Sequence, residues 1–189
     1  MFAHVTVLFS MIFALALTHV FATASTLILE RKRVRYSGLL TATMINSSLG
    51  VIVNWLFLWQ LEDIKHWSVG EVLLQLSWVV PQYFTCSLLA MPCGDGELLH
   101  MPEFYERQRP VIYSAYLILF VMAMTENYAD RHNLEGWKPN EWIGADLLVL
   151  VMFICSVVAG WAKPRWLQWL AIAAMILENA WFLVSYTIT

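Results

Sequence analysis

Six apolar runs, separated by short polar turns, constrain this chain more than any other feature. A bilayer core of roughly 30 Å needs about 20 apolar residues per helix. Soluble domains carry about a quarter charged residues. Here 13% are charged and 60% hydrophobic. At 189 residues the chain has room for six such runs and little else. The pattern predicts an all-α polytopic membrane protein, one domain built as a bundle of six transmembrane helices. The expected spans are residues 3–29, 36–61, 67–91, 110–128, 142–161 and 166–188.

The first run is expected to remain as a span. Ala22-Thr23-Ala24 has the look of a cleavage site. Yet no Lys or Arg precedes the apolar stretch, and Arg31-Lys32-Arg33-Val34-Arg35 follows it. A signal peptide carries its charge in the opposite order.

Lys and Arg set the orientation. Six spans put Arg31, Lys32, Arg33, Arg35, Arg107, Arg109, Lys163 and Arg165 on one side, and Lys65, Arg131 and Lys138 on the other. Eight against three places both termini on the outer side, in the cell (inner) membrane. Trp55, Trp59, Trp67, Trp137, Trp142 and Trp181 then lie toward the outer boundary, and Trp161, Trp166 and Trp169 toward the inner one. That is an aromatic belt, which explains the tryptophan content without a ligand.

Within this frame, Ser68-Val69-Gly70-Glu71 reads as a capping box opening span three. Pro81 should kink that span. Pro92 to Arg109 reads as a polar connection with a short amphipathic helix over Glu97–Gln108, and Pro110 as the first turn of span four. The basic segments Glu30–Ser37 and Glu106–Ser114 echo one another weakly. Two basic inner loops would look alike without any duplication.

Polar side chains inside the runs carry whatever chemistry the chain has. Glu178-Asn179 lies at the centre of the last run. An acid at helix centre costs about 2.5–3.5 kcal/mol on insertion scales, so packing alone does not require it. Counting 1.5 Å per residue from the inner end of each span gives depths of about 15 Å for His19, about 14 Å for Asn46 and Gln82, and about 18 Å for Glu178. Four spans would thus offer polar groups to one layer. Helical stripes agree: Thr43, Asn46, Ser47, Gly50 and Asn54 share one face of span two, and Glu71, Gln75, Trp78, Gln82 and Cys86 one face of span three. Spans one, two, three and six are therefore expected to line a polar interior, with four and five more peripheral. Small and hydroxyl faces are also what helix packing in lipid uses.

The expected binding or transport set is Glu178, His19, Asn46, Gln82 and Asn179. Glu126, Glu71 and Asp146 would form an acidic outer mouth, which would concentrate cations. Glu71 also suits a cap, and Asp146 the positive end of a helix. These residues lead to a small membrane protein that translocates or senses a proton, a cation or a small cationic solute. Glu178 would be the working acid, His19 its relay, and Pro81 the bend. The alternative is a non-catalytic accessory or scaffold subunit that binds a membrane partner or a second copy of itself.

An enzyme is the weakest reading. Glu126, Asp130, His132, Glu135 and Asp146 lie near one another in the chain, but there is no HExxH and no nucleophile motif. No metal site and no cofactor is expected. Of the histidines only His4 and His19 fall in a span, both in the first, which disfavours haem. No Lys lies within a span, which disfavours retinal as a Schiff base. The three cysteines show no CxxC spacing and propose neither a disulfide framework nor a zinc site. Asn46-Ser47-Ser48 matches a glycosylation sequon but falls inside a span. The partner implied throughout is the lipid bilayer, and nucleic acid is not.

Overall fold

The computed structural model describes residues 2–59, 68–92, 98–133 and 139–185. Among these the chain is all-helical, with six helices. They are α1 (Phe2–Leu29), α2 (Gly38–Phe57), α3 (Val69–Ser87), α4 (Met101–Asn133), α5 (Pro139–Trp161) and α6 (Arg165–Ser185). Four stretches are long and apolar enough to span a membrane: Ala3–Leu29, Gly38–Phe57, Met101–Tyr128 and Arg165–Ser185. A shorter apolar stretch, Asp146–Trp161, lies in α5. The molecule is thus consistent with an integral membrane protein.

Local chemistry sets the helix starts. The Ser37 side chain accepts a hydrogen bond from the Leu40 amide and opens α2. Ser68 and Glu71 form a reciprocal capping box at the start of α3. Glu71, expected at an acidic mouth, therefore has a structural partner in its own backbone.

Helix α4 departs from expectation. The predicted amphipathic helix and span four are one continuous helix, and Pro110 sits inside it rather than at its start. The amphipathic pattern is real: Met101, Phe104 and Tyr105 are buried, while Glu103, Glu106 and Arg107 are exposed. Proline removes one helical hydrogen bond and crowds the carbonyl four residues back. The buried Phe104, Tyr105, Ile112 and Tyr113 on either side of Pro110 offset that cost by packing. Residues 93–97 of the expected connection lie outside the described residues, as does the turn holding Glu62, Asp63, Lys65 and His66. The basic echo also dissolves at this register, because Ser37 is a helix cap whereas Ser114 is mid-helix.

The helices pack in the order α1–α3–α4–α5–α6–α2, and α2 closes back onto α1. Helix α2 also reaches α3 and α4 across the bundle. It is accordingly the most enclosed of the four long apolar helices: 50% of its most apolar stretch is buried, against 28% in each of α1, α4 and α6. On α1 the buried residues Val5, Phe9, Phe13, Ala16, Val20 and Thr23 recur at steps of three and four, a single inward stripe. Large apolar residues such as Leu15, Ile28, Ile154, Leu177 and Val184 point outward. So much exposed apolar surface suits lipid and not water.

At the end carrying the basic cluster, Val34–Arg35 pairs in parallel with Leu99–His100. This short bridge ties the α1–α2 connection to the entry of α4. Arg109 and Gln168 both donate to the Ala162 carbonyl just past α5, at 3.4 and 2.9 Å. A cation there also suits the negative end of the helix.

Candidate functional site

Of the buried polar residues, Thr43, Asn46, Ser47, Gln82, Thr85 and Asn179 gather into one layer built on α2. The Thr43 hydroxyl donates to the Leu39 carbonyl at 2.8 Å, so the Tyr113 hydroxyl of α4, 3.1 Å away, is left to donate to Thr43. One turn further, the Asn46 amide donates to the Tyr116 hydroxyl at 3.2 Å, and Ser47 bonds the same hydroxyl. From the other side the Asn179 amide of α6 donates to the Asn46 carbonyl oxygen at 3.2 Å and to its own Met175 carbonyl at 3.0 Å. Three helices meet here through side chains that are all at least nine-tenths buried.

The layer continues along α2 toward α3. The Asn54 amide donates to the Gln82 side-chain oxygen at 3.0 Å, and the Gln82 amide reaches Thr85 at 3.4 Å. Gly50 lies between Ser47 and Asn54 on this face. A Cβ there would sit 3.8 Å from the Gln82 amide nitrogen, an ordinary contact, so the approach of α3 does not depend on the glycine. The sequence stripe of span two is thus the spine of the site, and Gln82, Asn46 and Asn179 belong to it.

Two expected members lie elsewhere. His19 on α1 pairs with the Tyr83 hydroxyl of α3 at 3.0 Å, its ring edge-on to that tyrosine. Helix α2 stands between α1 and α6 in the packing order, which separates His19 from Glu178. Glu178 is half-buried and makes no hydrogen bond or ion pair among the described residues. One turn back on α6, Met175 accepts from the Ser156 hydroxyl of α5 at 4.0 Å, which sets the α5 flank of this helix. Adjacent residues on a helix point about 100° apart, so Asn179 and Glu178 face different neighbours. The expected convergence of Glu178, His19, Asn46 and Gln82 on one point is therefore replaced by a neutral layer on α2 and an acid on the α5 flank.

At the expected outer mouth, the Asn127 amide donates to the Asp146 carboxylate at 3.4 Å and links α4 to α5. Glu126 is partly buried on α4. The side chains of Asp130, His132 and Glu135 lie outside the described residues. Among the described residues no group of three His, Cys, Asp or Glu side chains could hold a metal.

Tyr113 and Tyr116 are central to the site and were not expected there. Their rings stack with centroids 5.7 Å apart, and Tyr116 stacks on Phe120 at 6.0 Å. The expectation that α4 is peripheral is corrected by these two side chains. Starting span four at Pro110 places both tyrosines near a membrane boundary, where tyrosine is ordinary. Starting the helix at Met101 puts Tyr116 about 22 Å along it, where a hydroxyl needs a partner. Their spacing from Tyr105, at one helical face, is the signal that points inward. The buried Tyr105 hydroxyl extends the row, lying beside Tyr113 and Thr43 without a hydrogen-bond partner among the described residues.

Comparison with protein families, curated proteins and solved structures finds no match to this chain.

Proposed function

We propose that this protein is a six-span integral membrane protein that senses a proton or small cation through Glu178. The observation that carries this reading is the carboxylate itself. It is half-buried in the middle of an apolar helix, with no hydrogen bond or ion pair among the described residues. An acid inside lipid is paired, protonated or in contact with water, and each change between those states alters the local free energy by kilocalories per mole. Glu178 lies three residues from Met175, which meets Ser156 of α5 at 4.0 Å, so that change acts beside a helix interface. Sensing is favoured over translocation because the α2 layer carries no charge and its side chains are engaged with one another.

The six-span topology rests on length and facing. Helix α3 has 19 residues, about 28 Å, and its polar residues Gln75, Gln82 and Thr85 are turned into the bundle. Helix α5 has 23 residues. The Lys and Arg asymmetry supports a topology with both termini outside, and we take the membrane to be the cell (inner) membrane.

Trp181 lies one turn beyond Glu178 and is largely exposed, so among the ten tryptophans the difference in emission between the parent and Trp181→Phe reports on that flank. In liposomes, stepping between pH 5 and 8 should shift this emission in the parent, and Glu178→Gln should abolish the shift. An equal shift in both proteins would sink the reading.

The second reading, an accessory subunit, is favoured by the part of Glu178 that stays exposed. A cationic group on a partner span would pair with Glu178 at the bundle surface. It predicts a stoichiometric co-purifying membrane protein that Glu178→Gln releases. A pH-dependent shift in the isolated chain, with no partner present, argues against it.

A further inference from the structure

An apolar hollow lies away from the polar layer. It is a groove of about 550 Å³ between α1 and α2, at the end carrying the basic cluster. Its walls include Val20, Ala24 and Leu27 of α1, and Met44 and Leu49 of α2. Phe21, Ile28 and Ile45 at its rim are exposed, so it opens outward from the bundle rather than into it. The wall hydroxyls are already used: Thr41 donates to the Ser37 carbonyl and Ser48 to the Met44 carbonyl. The surface left to an occupant is therefore apolar along its length. From Val20 to Arg31 it runs about 16 Å along α1.

The mouth is different in kind. Arg31 lines it, together with the exposed ring of Tyr36. Arg33 is held by Glu30 at 3.0 Å. Arg31 makes no ion pair among the described residues, and Lys32 and Arg35 stand exposed beside it. A long apolar slot ending at uncompensated cations matches one kind of molecule present wherever this chain resides.

We propose that the α1–α2 groove is a binding site for a bilayer phospholipid, with an acyl chain along Ala24 and Met44 and an anionic headgroup at Arg31. Apolar walls give the chain a place free of polar obligations, and Arg31 gives the headgroup phosphate a forked donor. A juxtamembrane basic residue contributes about 1 kcal/mol toward an anionic lipid, so the headgroup preference should be about fivefold for Arg31 alone.

Native mass spectrometry of the full chain in detergent tests this. The probes are dioleoyl phosphatidylglycerol and dioleoyl phosphatidylcholine, which share acyl chains and differ in net charge. The parent should retain one phosphatidylglycerol in preference to phosphatidylcholine by about fivefold or more. Arg31→Gln should lower the preference by about fivefold and leave only what Lys32 and Arg35 contribute. Ala24→Trp should fill the slot and reduce retention of both. If that variant loses helix content, Arg31→Gln decides alone, because Arg31 is exposed and carries no packing. Equal retention of the two lipids by the parent overturns the proposal, as does an unchanged preference in Arg31→Gln. A lipid-free dimer that Ala24→Trp dissociates would assign the groove to a second copy of the chain and overturn it as well.

Discussion

At the scale of single residues, the consequential contacts are those that a change of one or two atoms would break. Tyr116 serves both Asn46 and Ser47 through one hydroxyl. Tyr116→Phe removes that oxygen and leaves two buried polar groups on α2 short of a partner. Interhelical hydrogen bonds in membrane proteins average about 0.6 kcal/mol and reach about 1.7. The loss here should be about 1 kcal/mol or slightly more, read as a lowered midpoint in detergent unfolding. Glycines make a sharper pair. A Cβ on Gly160 would lie 2.8 Å from the Tyr113 Cβ, a position fixed by the α4 backbone. Gly160→Ala should therefore force α4 and α5 apart and cost about 1–3 kcal/mol. Gly50→Ala meets only the Gln82 amide at 3.8 Å. It should be neutral or slightly stabilising, since alanine is the better helix former by about 1 kcal/mol. Equal effects of the two alanines would contradict the packing described.

At the scale of elements, each helix combines a local start signal with an inward stripe. The α3 start is local enough to test alone. Ser68→Ala removes the hydroxyl that accepts from the Glu71 amide, and should destabilise the protein by about 1 kcal/mol. Faster amide exchange in the first turn of α3, with α6 unaffected, would locate the change. Glu71→Gln keeps the reciprocal bond to the Ser68 amide and should be nearly silent, which an essential mouth carboxylate would not be. The capping box and the span-two stripe are legible in the sequence because both are contacts within one helix. The extent of α4 is not. A proline after a run of charges reads as a boundary, and only the packing of Phe104 and Tyr105 beneath it carries the helix across.

At the scale of the whole molecule, the bundle is held by a buried, uncharged layer centred on its most enclosed helix. Such a layer fixes helix register without burying charge. Six spans with both termini outside predict that cysteines placed at either end react with an impermeant thiol reagent in whole cells, after Cys86, Cys93 and Cys155 are replaced. Protection of one terminus alone would require an odd number of spans. By itself the sequence determined that the chain is helical, that it is suited to lipid, and which face of α2 is polar. These follow from composition and from a period of 3.6, and both are written in one dimension. Tertiary structure alone decided which polar groups meet. It set Asn46 against Tyr116 and Asn179, gave His19 to Tyr83, and left Glu178 beside α5. Depth along a helix gives height but not azimuth. Two side chains at one height share a site only when the packing order turns them toward each other, and that order is a property of six helices together.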